Sequence, residues 1–460
     1  MSKLSLKSDY FLAFFLSCIL ILGVVLRLNE YSTVPPVGET RDEFQYPWAG
    51  LTLLQTGVPS SWSYFDAYQN RQSTKVWGQE FRIVTPWFDK PLLYPLLTGI
   101  WMWVLGARNF ADITMAQLRL IPLLLSSLTI ILVGLIGKKL ISDRVGMLAA
   151  LLYAVTPTIV LANRLSLTEN LLIPLVLGAL LILNQSKQTR VSLIVLGVLT
   201  GLAFLTKQIG FTLYLAVLWP LVLQKKWKDI AIVSSIFATF VGIHFGVVAF
   251  YGLKLYLAVM SDFRIAHTLV GLPELVFAIF QNPVIGQKGR VFLDGTILLG
   301  TVLLFTSPWT MGKLLKNAAQ KLFLLLGFPL FYLTALVLVE SGATEFSYFG
   351  WHIYPLYPFL MLLVAWVIEQ VLMRPELFTK LLLFLFLGAS SIRFVFLLNP
   401  PTWTTWQEVL SLLALALVAA EFVNLRVQKT FLFILLVVFV GISIYTSWQV
   451  GLIYPTQPPL

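Results

Sequence analysis

The chain has 460 residues, of which 58% are hydrophobic and 12% are charged. Its repeated apolar runs of about 18 residues or more are long enough to cross a hydrocarbon core of ~30 Å, which predicts a polytopic membrane protein and excludes a soluble enzyme. The net charge of +11, from 32 Lys and Arg against 21 Asp and Glu, does not indicate nucleic-acid binding, because excess Lys and Arg of a membrane protein normally collect in cytoplasmic loops.

The N-terminal segment predicts an uncleaved signal anchor. Lys3 and Lys7 precede a long apolar run, and no small-x-small cleavage site follows it. The single cysteine, Cys18, lies inside this run, which excludes an intrachain disulfide and a Cys-based metal site. We therefore expect the N-terminus in the cytoplasm and an outer loop that begins near residue 29.

Acidic residues gather directly after this first span. The stretch GETRDEFQYPWAG holds Glu39, Asp42 and Glu43 within five positions. The apolar residues that follow recur at helical spacing, as in a helix that lies on the membrane with its acidic start facing a cleft: Phe44, Trp48, Leu51 and Leu54. A carboxylate at such a helix start is held ionised by the helix dipole, which suits a general base, but Asp42 also fits a simple helix N-cap.

The next apolar run, residues 91–106, is short and contains two prolines and three large aromatic residues, which favours an interfacial helix over a second span. Asp89 and Lys90 stand immediately before it. The first outer loop is therefore predicted to extend from 29 to 115, and a second outer loop covers 252–291. We predict no soluble C-terminal domain, so that residues 1–460 form a single integral membrane domain.

When residues 91–106 are taken as an interfacial helix, the Lys and Arg residues collect in alternate loops, and every inner loop is basic. The sequence then predicts an all-α fold of about thirteen transmembrane helices with the C-terminus outside. The predicted spans are 10–28, 117–137, 145–163, 168–184, 191–206, 209–223, 229–251, 292–312, 322–340, 352–371, 379–398, 407–425 and 430–450.

Several charged residues then fall in short outer turns. Lys207, in GLAFLTKQIGF, opposes the positive-inside bias, which indicates an anionic ligand, although a lysine that snorkels to the headgroups is the alternative. Arg164 and Glu169, in NRLSLTENLL, fit either a structural ion pair or a substrate contact. His352 opens a late helix at the same face, where a packed, hydrogen-bonded histidine is as compatible with the sequence as a ligand.

The sequence has no metal or nucleotide signature. His244, His267 and His352 are far apart, and neither HExxH, a P-loop nor a strand-linked GxGxxG is present. An enzyme at the outer face has no ATP or nucleotide sugar available, so a glycosyl donor used there would have to be carried by a membrane lipid.

The order of these motifs resembles that of the C-type membrane glycosyltransferases. Within them it is similar to the superfamily of protein O-mannosyltransferases and lipid A aminoarabinose transferases. The matching stretches are DEFQY with GLTLLQTGVP, DKPLLYPLLTG, RLSLTENLL, GLAFLTKQIG, FLDGTILLG and WHIYPLYPFL. Two features depart from the pattern: Lys-Pro-Leu stands where many relatives have Lys-Pro-Pro, and no soluble domain is appended.

The resemblance implies an inverting, metal-independent hexosyl- or pentosyltransferase that needs no cofactor. The donor would be a polyprenyl-phosphate sugar, and the acceptor a protein, lipid or glycan. Asp42, with Glu43 beside it, matches the family's acidic motif and would activate the acceptor, whereas Lys90 and Lys207 match basic positions that would meet the donor phosphate. Asp89, Arg164, Glu169 and His352 are further candidates for the substrate site.

The sequence thus favours a multi-pass enzyme of the cell membrane with its active site on the extracytoplasmic side. A transporter or flippase for a lipid-linked anionic sugar is the alternative, because outer lysines and a few buried carboxylates suit it too. The absence of an internal repeat and the placement of the unusual charges at one face favour the enzyme.

Overall fold

The computed structural model describes residues 3–36, 40–185, 188–266, 294–311, 318–339, 350–391 and 403–453. Within these ranges the chain is predominantly helical. The helices are α1 (Lys3–Leu28), α2 (Asp42–Thr56), α3 (Leu93–Val104), α4 (Met115–Leu118), α5 (Leu120–Leu140), α6 (Asp143–Val155), α7 (Pro157–Ala162), α8 (Thr168–Leu183), α9 (Arg190–Thr206), α10 (Phe211–Leu223), α11 (Trp227–Ala266), α12 (Gly295–Met311), α13 (Ala318–Val339), α14 (Tyr357–Met373), α15 (Leu377–Leu383), α16 (Trp403–Ala419), α17 (Leu425–Trp448) and α18 (Val450–Ile453).

The long helices form one bundle around a shared apolar core. Helix α5 packs on α6 and α8, α9 packs between α8 and α11, and α14 packs on α6 and α12. The side chains of α14 are buried almost throughout, because neighbouring helices surround it on all sides. Helix α14 is therefore the central element of the bundle.

Four stretches of the described chain are long and apolar enough to cross a membrane: Met115–Leu140, Trp227–Asp262, Gly350–Met373 and Leu425–Trp448. The remaining apolar helices of the described ranges have 10–17 residues. These helices identify a membrane protein, whereas the count of about thirteen spans stays a prediction. The interfacial run expected over 91–106 forms the 12-residue helix α3, whose length falls well short of a span.

The first outer loop contains a small sheet, which the all-α prediction missed. Strands β1 (Ser61–Trp62), β2 (Arg71–Val76) and β3 (Gln79–Val84) form an antiparallel sheet in the order β1-β3-β2. The turn between β2 and β3 is formed by Trp77 and Gly78, both of which have a positive φ. The alternation of Phe81 and Ile83 with charged residues in β3 was the available signal, since it has the period of a half-buried strand.

This sheet covers helix α2, so the apolar face of α2 does not lie in lipid as the sequence suggested. Phe44, Trp48 and Leu51 are buried in a cluster with Phe81 of β3 and Met102 of α3. Leu54 alone among the predicted face residues is exposed. Helix α2 is therefore held inside the protein, which fixes its acidic N-terminus more rigidly than a lipid surface would.

Helices α2 and α3 cross at two facing glycines. A Cβ atom built on Gly50 would lie 1.8 Å from the carbonyl oxygen of Pro95, and one built on Gly99 would lie 2.3 Å from the carbonyl carbon of Gly50. Only residues without a side chain allow the two backbones to approach this closely. The crossing therefore positions α2, and with it Asp42, against the α3 segment that follows Lys90.

The second outer loop, predicted over 252–291, begins at a break in helix α11. Helix α11 does not end at residue 251 but continues to Ala266 after a break at Gly252, where φ is +143°. Its outer part contacts the first outer loop: Asp262 accepts a hydrogen bond of 2.5 Å from the Ala67 N–H, and Tyr256 packs edge-on against Phe88. The rest of the predicted loop, residues 267–291, lies outside the described residues.

Polar contacts also join the helices at the other end of the bundle. Ser142, between α5 and α6, donates a hydrogen bond of 2.7 Å to Glu369 in the last turns of α14. The inner cluster consists of Lys380, Glu421 and Gln428, in which the buried Lys380 ammonium bonds both the Glu421 carboxylate and the Gln428 side chain. These contacts tie α15 to α17.

Candidate functional site

Asp42 is the first residue of helix α2 and is half-buried. The N-cap position belongs to Arg41, and no side-chain cap hydrogen bond is present, so the structure does not use Asp42 as a cap. Within the described residues no donor forms a hydrogen bond to the Asp42 carboxylate. Its oxygens are therefore available to a group from outside the described protein.

The charges around Asp42 come from its neighbour Glu43 and from three other parts of the chain. The pKa of Asp42 is raised to about 6, mainly by burial. Among the neighbouring charges, Glu169 and Glu43 also raise this pKa, whereas Lys90 and Lys207 lower it. The structure thus brings Asp42 together with both lysines that the sequence proposed as phosphate ligands. At neutral pH a carboxyl group with this pKa is mostly ionised and still basic enough to take a proton.

Glu43 differs from its neighbour because its carboxylate is fully engaged. Arg119 donates to Glu43 through Nε (3.0 Å to Oε1) and Nη2 (2.7 Å to Oε2), and the Ser166 N–H donates to Oε1 at 2.9 Å. Both partners of this ion pair are buried. Arg119 also donates to the carbonyl oxygens of Tyr31 and Pro35. Glu43 therefore fastens the start of α2 to the segment after α1 and to the turn before α8.

Lys207 is buried at the end of helix α9, and its ammonium lies 2.9 Å from Oε1 of Glu169. The other oxygen of Glu169 accepts a hydrogen bond of 3.0 Å from the Thr168 hydroxyl. Glu169 stands in the first turn of α8, where the helix dipole favours a carboxylate. A side chain that is 3% exposed and ion-paired inside the protein is not a lysine that snorkels to the headgroups.

Arg164 does not pair with Glu169, so the ion pair considered from the sequence is wrong. The guanidinium of Arg164 donates instead to the carbonyl oxygens of Leu26 (2.8 Å) and Val34 (3.3 Å), at the end of α1 and in the segment after it. Burial, together with the nearby cations Arg27 and Arg119, lowers the pKa of Arg164 to about 9. Glu169 is already occupied by Lys207, which explains the different pairing.

Asp89 and Lys90 lie between the sheet and helix α3. The buried Asp89 accepts a hydrogen bond of 2.8 Å from the Tyr68 hydroxyl, which itself accepts the Phe88 N–H at 2.8 Å. Burial raises the pKa of Asp89 to about 7. Asp89 thus anchors the loop that carries Lys90, and its own charge state changes near neutral pH.

His352 is buried in a 3₁₀ segment, Gly350–Leu356, that packs against α8. Its backbone oxygen accepts a hydrogen bond of 2.7 Å from the Tyr332 hydroxyl, and its ring meets Trp351 edge-on. These contacts fit the packed histidine that the sequence also allowed. Glu39, the first acid of the opening cluster, lies outside the described residues.

Sequence reasoning missed Arg119, Ser166 and Thr168. Arg119 had a usable signal, because a lone arginine at the outer start of the apolar run 120–140 opposes the positive-inside bias. Ser166 and Thr168 had none, since Ser and Thr are common in apolar helices and turns. Among the described residues, no group of three or more His, Cys, Asp and Glu side chains lies close enough together to hold a metal ion.

The comparisons with known proteins concern the family and the fold of the chain. The family model described as dolichyl-phosphate-mannose-protein mannosyltransferase matches residues 89–251, a little over a third of the chain. The matched segment includes Lys90, Arg119, Glu169 and Lys207, but it begins after Asp42. No curated protein sequence matches the chain.

Solved structures match over nearly the whole chain. The crystal structure of ArnT from Cupriavidus metallidurans in the apo state aligns with a TM-score of 0.54 at 13% identity, over 97% of this chain and 76% of ArnT. The same protein bound to undecaprenyl phosphate aligns with a TM-score of 0.52 at 14% identity, over 96% and 76%.

The Archaeoglobus fulgidus oligosaccharyltransferase tethered with an acceptor peptide aligns with a TM-score of 0.56 at 12% identity, over 98% of this chain. The chain spans 56% of that protein, a little over half of its length. ArnT and the oligosaccharyltransferase are both C-type glycosyltransferases, so the chain has the C-type glycosyltransferase fold. The resemblance inferred from the order of the sequence motifs is confirmed.

Proposed function

We propose that this protein transfers a sugar from a polyprenyl-phosphate donor to an acceptor at the extracytoplasmic face of the membrane. The transfer is that of an inverting hexosyl- or pentosyltransferase, and it uses no metal or other cofactor. The acceptor is a protein, a lipid or a glycan that carries a nucleophilic oxygen. Support comes from the fold, from the partial family match and from the polyprenyl phosphate bound to ArnT.

One observation carries the proposal: a carboxylate without a hydrogen-bond donor in the described protein lies within the electrostatic reach of two lysines. Asp42 is the base, because its oxygens are available and its pKa is about 6. Lys90 and Lys207 are the cations that meet the donor phosphate. Fixed cations act strongly in a site with little water, where they stabilise charge that develops on a leaving group.

The chemistry balances without a further reactant. The acceptor oxygen forms a bond to the anomeric carbon on the face opposite the lipid phosphate, and its proton passes to Asp42. The bond between the anomeric carbon and the phosphate oxygen breaks, and its electron pair leaves on the polyprenyl phosphate. Lys90 and Lys207 offset the negative charge of this phosphate until the lipid departs.

Glu43 takes a positioning role in this mechanism, although the sequence placed it beside Asp42 as a catalytic residue. Its two oxygens already accept three hydrogen bonds, from Arg119 and from the Ser166 backbone. A carboxylate this strongly bound would have to give up a buried ion pair before it could take a proton. Glu43 instead fixes the helix start from which Asp42 projects.

The remaining candidates position the proposed catalytic residues or support the backbone around them. Glu169 holds Lys207, and Asp89 holds the loop that carries Lys90. Arg164 and His352 support the backbone around the site through contacts with carbonyl groups and aromatic rings. We assign neither of them a role at the reacting atoms.

The proposal is tested by supplying purified protein with radiolabelled polyprenyl-phosphate sugars and candidate acceptors, with and without EDTA. We expect covalent transfer of label to one acceptor class, with equal rates in EDTA. Loss of activity in EDTA would contradict metal independence. Movement of intact donor across a proteoliposome membrane, without a new glycosidic bond, would instead establish the transporter alternative.

The extracytoplasmic placement has its own test, which uses single cysteines in a Cys18→Ser background. Gln72, in β2, and Gln224, in the basic loop after α10, are both exposed. We expect an impermeant thiol reagent to label Gln72→Cys on intact cells and Gln224→Cys only after lysis. The reverse pattern would place the proposed site in the cytoplasm.

A further inference from the structure

One of the donor lysines is oriented by a short series of buried polar contacts. The Thr168 hydroxyl donates to Glu169 Oε2 at 3.0 Å, and Glu169 Oε1 lies 2.9 Å from the Lys207 ammonium. The order across the site is therefore Thr168, Glu169 and Lys207.

Every member of this set is buried. Thr168, Glu169 and Lys207 are between 1% and 3% exposed. Water does not replace a missing partner at such a depth, so each hydrogen bond restricts the orientation of the next side chain. Thr168 stands at the start of this series, because its hydroxyl holds the Glu169 oxygen that Lys207 does not contact.

Two further contacts show that Thr168 belongs to a fixed turn. The backbone N–H of Ser166, two residues earlier, donates to Glu43 at 2.9 Å, and the Ser166 hydroxyl lies 3.0 Å from the Tyr94 hydroxyl. The backbone of this turn is thus held by α2 and α3 independently of the Thr168 hydroxyl. Removal of that hydroxyl alone should therefore release Glu169 without moving the turn.

We propose that Thr168 is a positioning residue, which sets the Lys207 ammonium toward the donor phosphate by orienting Glu169. The inference rests on the proposed function, because it assumes that Lys207 meets the phosphate. Without the Thr168 hydroxyl, the Glu169 carboxylate is free to turn, and the ammonium follows it. Phosphate binding then weakens more than turnover at saturating donor.

The experiment is a titration of purified protein with polyprenyl phosphate alone, followed by native mass spectrometry. Thr168→Val keeps the shape of the side chain and removes its hydroxyl, whereas Thr168→Ser keeps the hydroxyl. Thr206→Val is the matched control, because Thr206 is buried beside Lys207 but its hydroxyl donates to Leu202 in its own helix. Lys207→Met serves as the reference for complete loss of the ammonium.

We expect Kd to rise about tenfold in Thr168→Val, as befits a lost charge-assisted hydrogen bond, and by more in Lys207→Met. Kd should stay within about twofold of wild type in Thr168→Ser and Thr206→Val. In the transfer assay, Thr168→Val should raise the donor KM and leave kcat within about threefold of the wild-type value.

Three results would contradict the positioning role of Thr168. One is a Kd of Thr168→Val equal to that of the wild type, and a second is an equal rise of Kd in Thr168→Val and Thr206→Val. The third is failure of Thr168→Ser to restore binding, together with a lowered Tm, because the residue is then only structural. Absence of polyprenyl phosphate binding by the wild-type protein would overturn the proposed function itself.

Discussion

Two groups of largely buried charges stand at opposite ends of the bundle, and they are built differently. The outer cluster consists of Asp42, Glu43, Arg119, Glu169 and Lys207, and the inner cluster of Lys380, Glu421 and Gln428. In the inner cluster the lysine bonds two partners, and the Gln428 amide donates to the Val423 carbonyl oxygen at 3.1 Å. In the outer cluster Asp42 accepts no hydrogen bond from the described protein.

The difference separates charges that support the fold from charges that can react. A satisfied buried ion pair adds little net stability, since desolvation offsets most of its attraction, but it specifies which helices meet. A carboxylate that is desolvated and lacks a hydrogen-bond donor has a raised pKa and remains a stronger base. Glu43 and Asp42 show both types side by side, which is why adjacent acids in one motif have different roles.

The largest expected difference in turnover comes from one substitution in each cluster. Asp42→Asn keeps the shape of the side chain and removes its ability to take a proton, so turnover should fall by ~10²-fold or more. Lys380→Met should leave turnover within about twofold, because its partner Glu421 is partly exposed and can be solvated. Steady-state transfer kinetics, on proteins matched for Tm, measure both.

Near-normal transfer by Asp42→Asn would show that this carboxylate is not the base. Donor binding by this variant should stay close to the wild-type value, because the lysines remain. A fall in turnover of Lys380→Met as large as that of Asp42→Asn would remove the distinction between the two clusters.

The next effect concerns the crossing that positions Asp42. Gly50→Ala places a methyl group where the Pro95 carbonyl oxygen stands, so α2 must move away from α3. A shift of about 1 Å at a reacting group can cost ~10²-fold in rate, and we expect kcat to fall by ~10-fold to ~10²-fold. Gly242→Ala is the control, because no atom lies within 4 Å of its added Cβ, and it should keep normal kinetics. Normal kinetics in Gly50→Ala would mean that the position of α2 does not limit the reaction.

Much of the bundle and of the site could be predicted from the sequence, because the relevant signals are local. Long apolar runs predicted membrane helices, the Asp42 cluster with its helical spacing predicted α2, and the short run after Lys90 predicted α3. The positive-inside rule placed Asp42, Lys90 and Lys207 at one face. The structure brings these three residues into one electrostatic neighbourhood.

The unpredicted features depend on contacts between residues far apart in the sequence. The partner of Glu169 is Lys207 rather than Arg164, and this choice follows from how α8 packs on α9. The bond between Arg119 and Glu43 joins residues 76 positions apart. The sheet over α2 was not predicted, because its strands are short and polar and their alternation of apolar and polar residues is weak.

The pH dependence of transfer tests the central claim most directly. If Asp42 is the base beside Lys90, kcat/KM should rise with pH through a limb near 6 and then level off, because the carboxyl must be ionised to take a proton. Lys90→Met removes a cation that lowers this pKa, so the limb should move to higher pH. Asp89→Asn should leave the limb in place, which distinguishes Asp42 from the other carboxyl that titrates near neutrality. A profile that is flat from pH 5 to 8, or a limb that Lys90→Met does not move, would contradict the account.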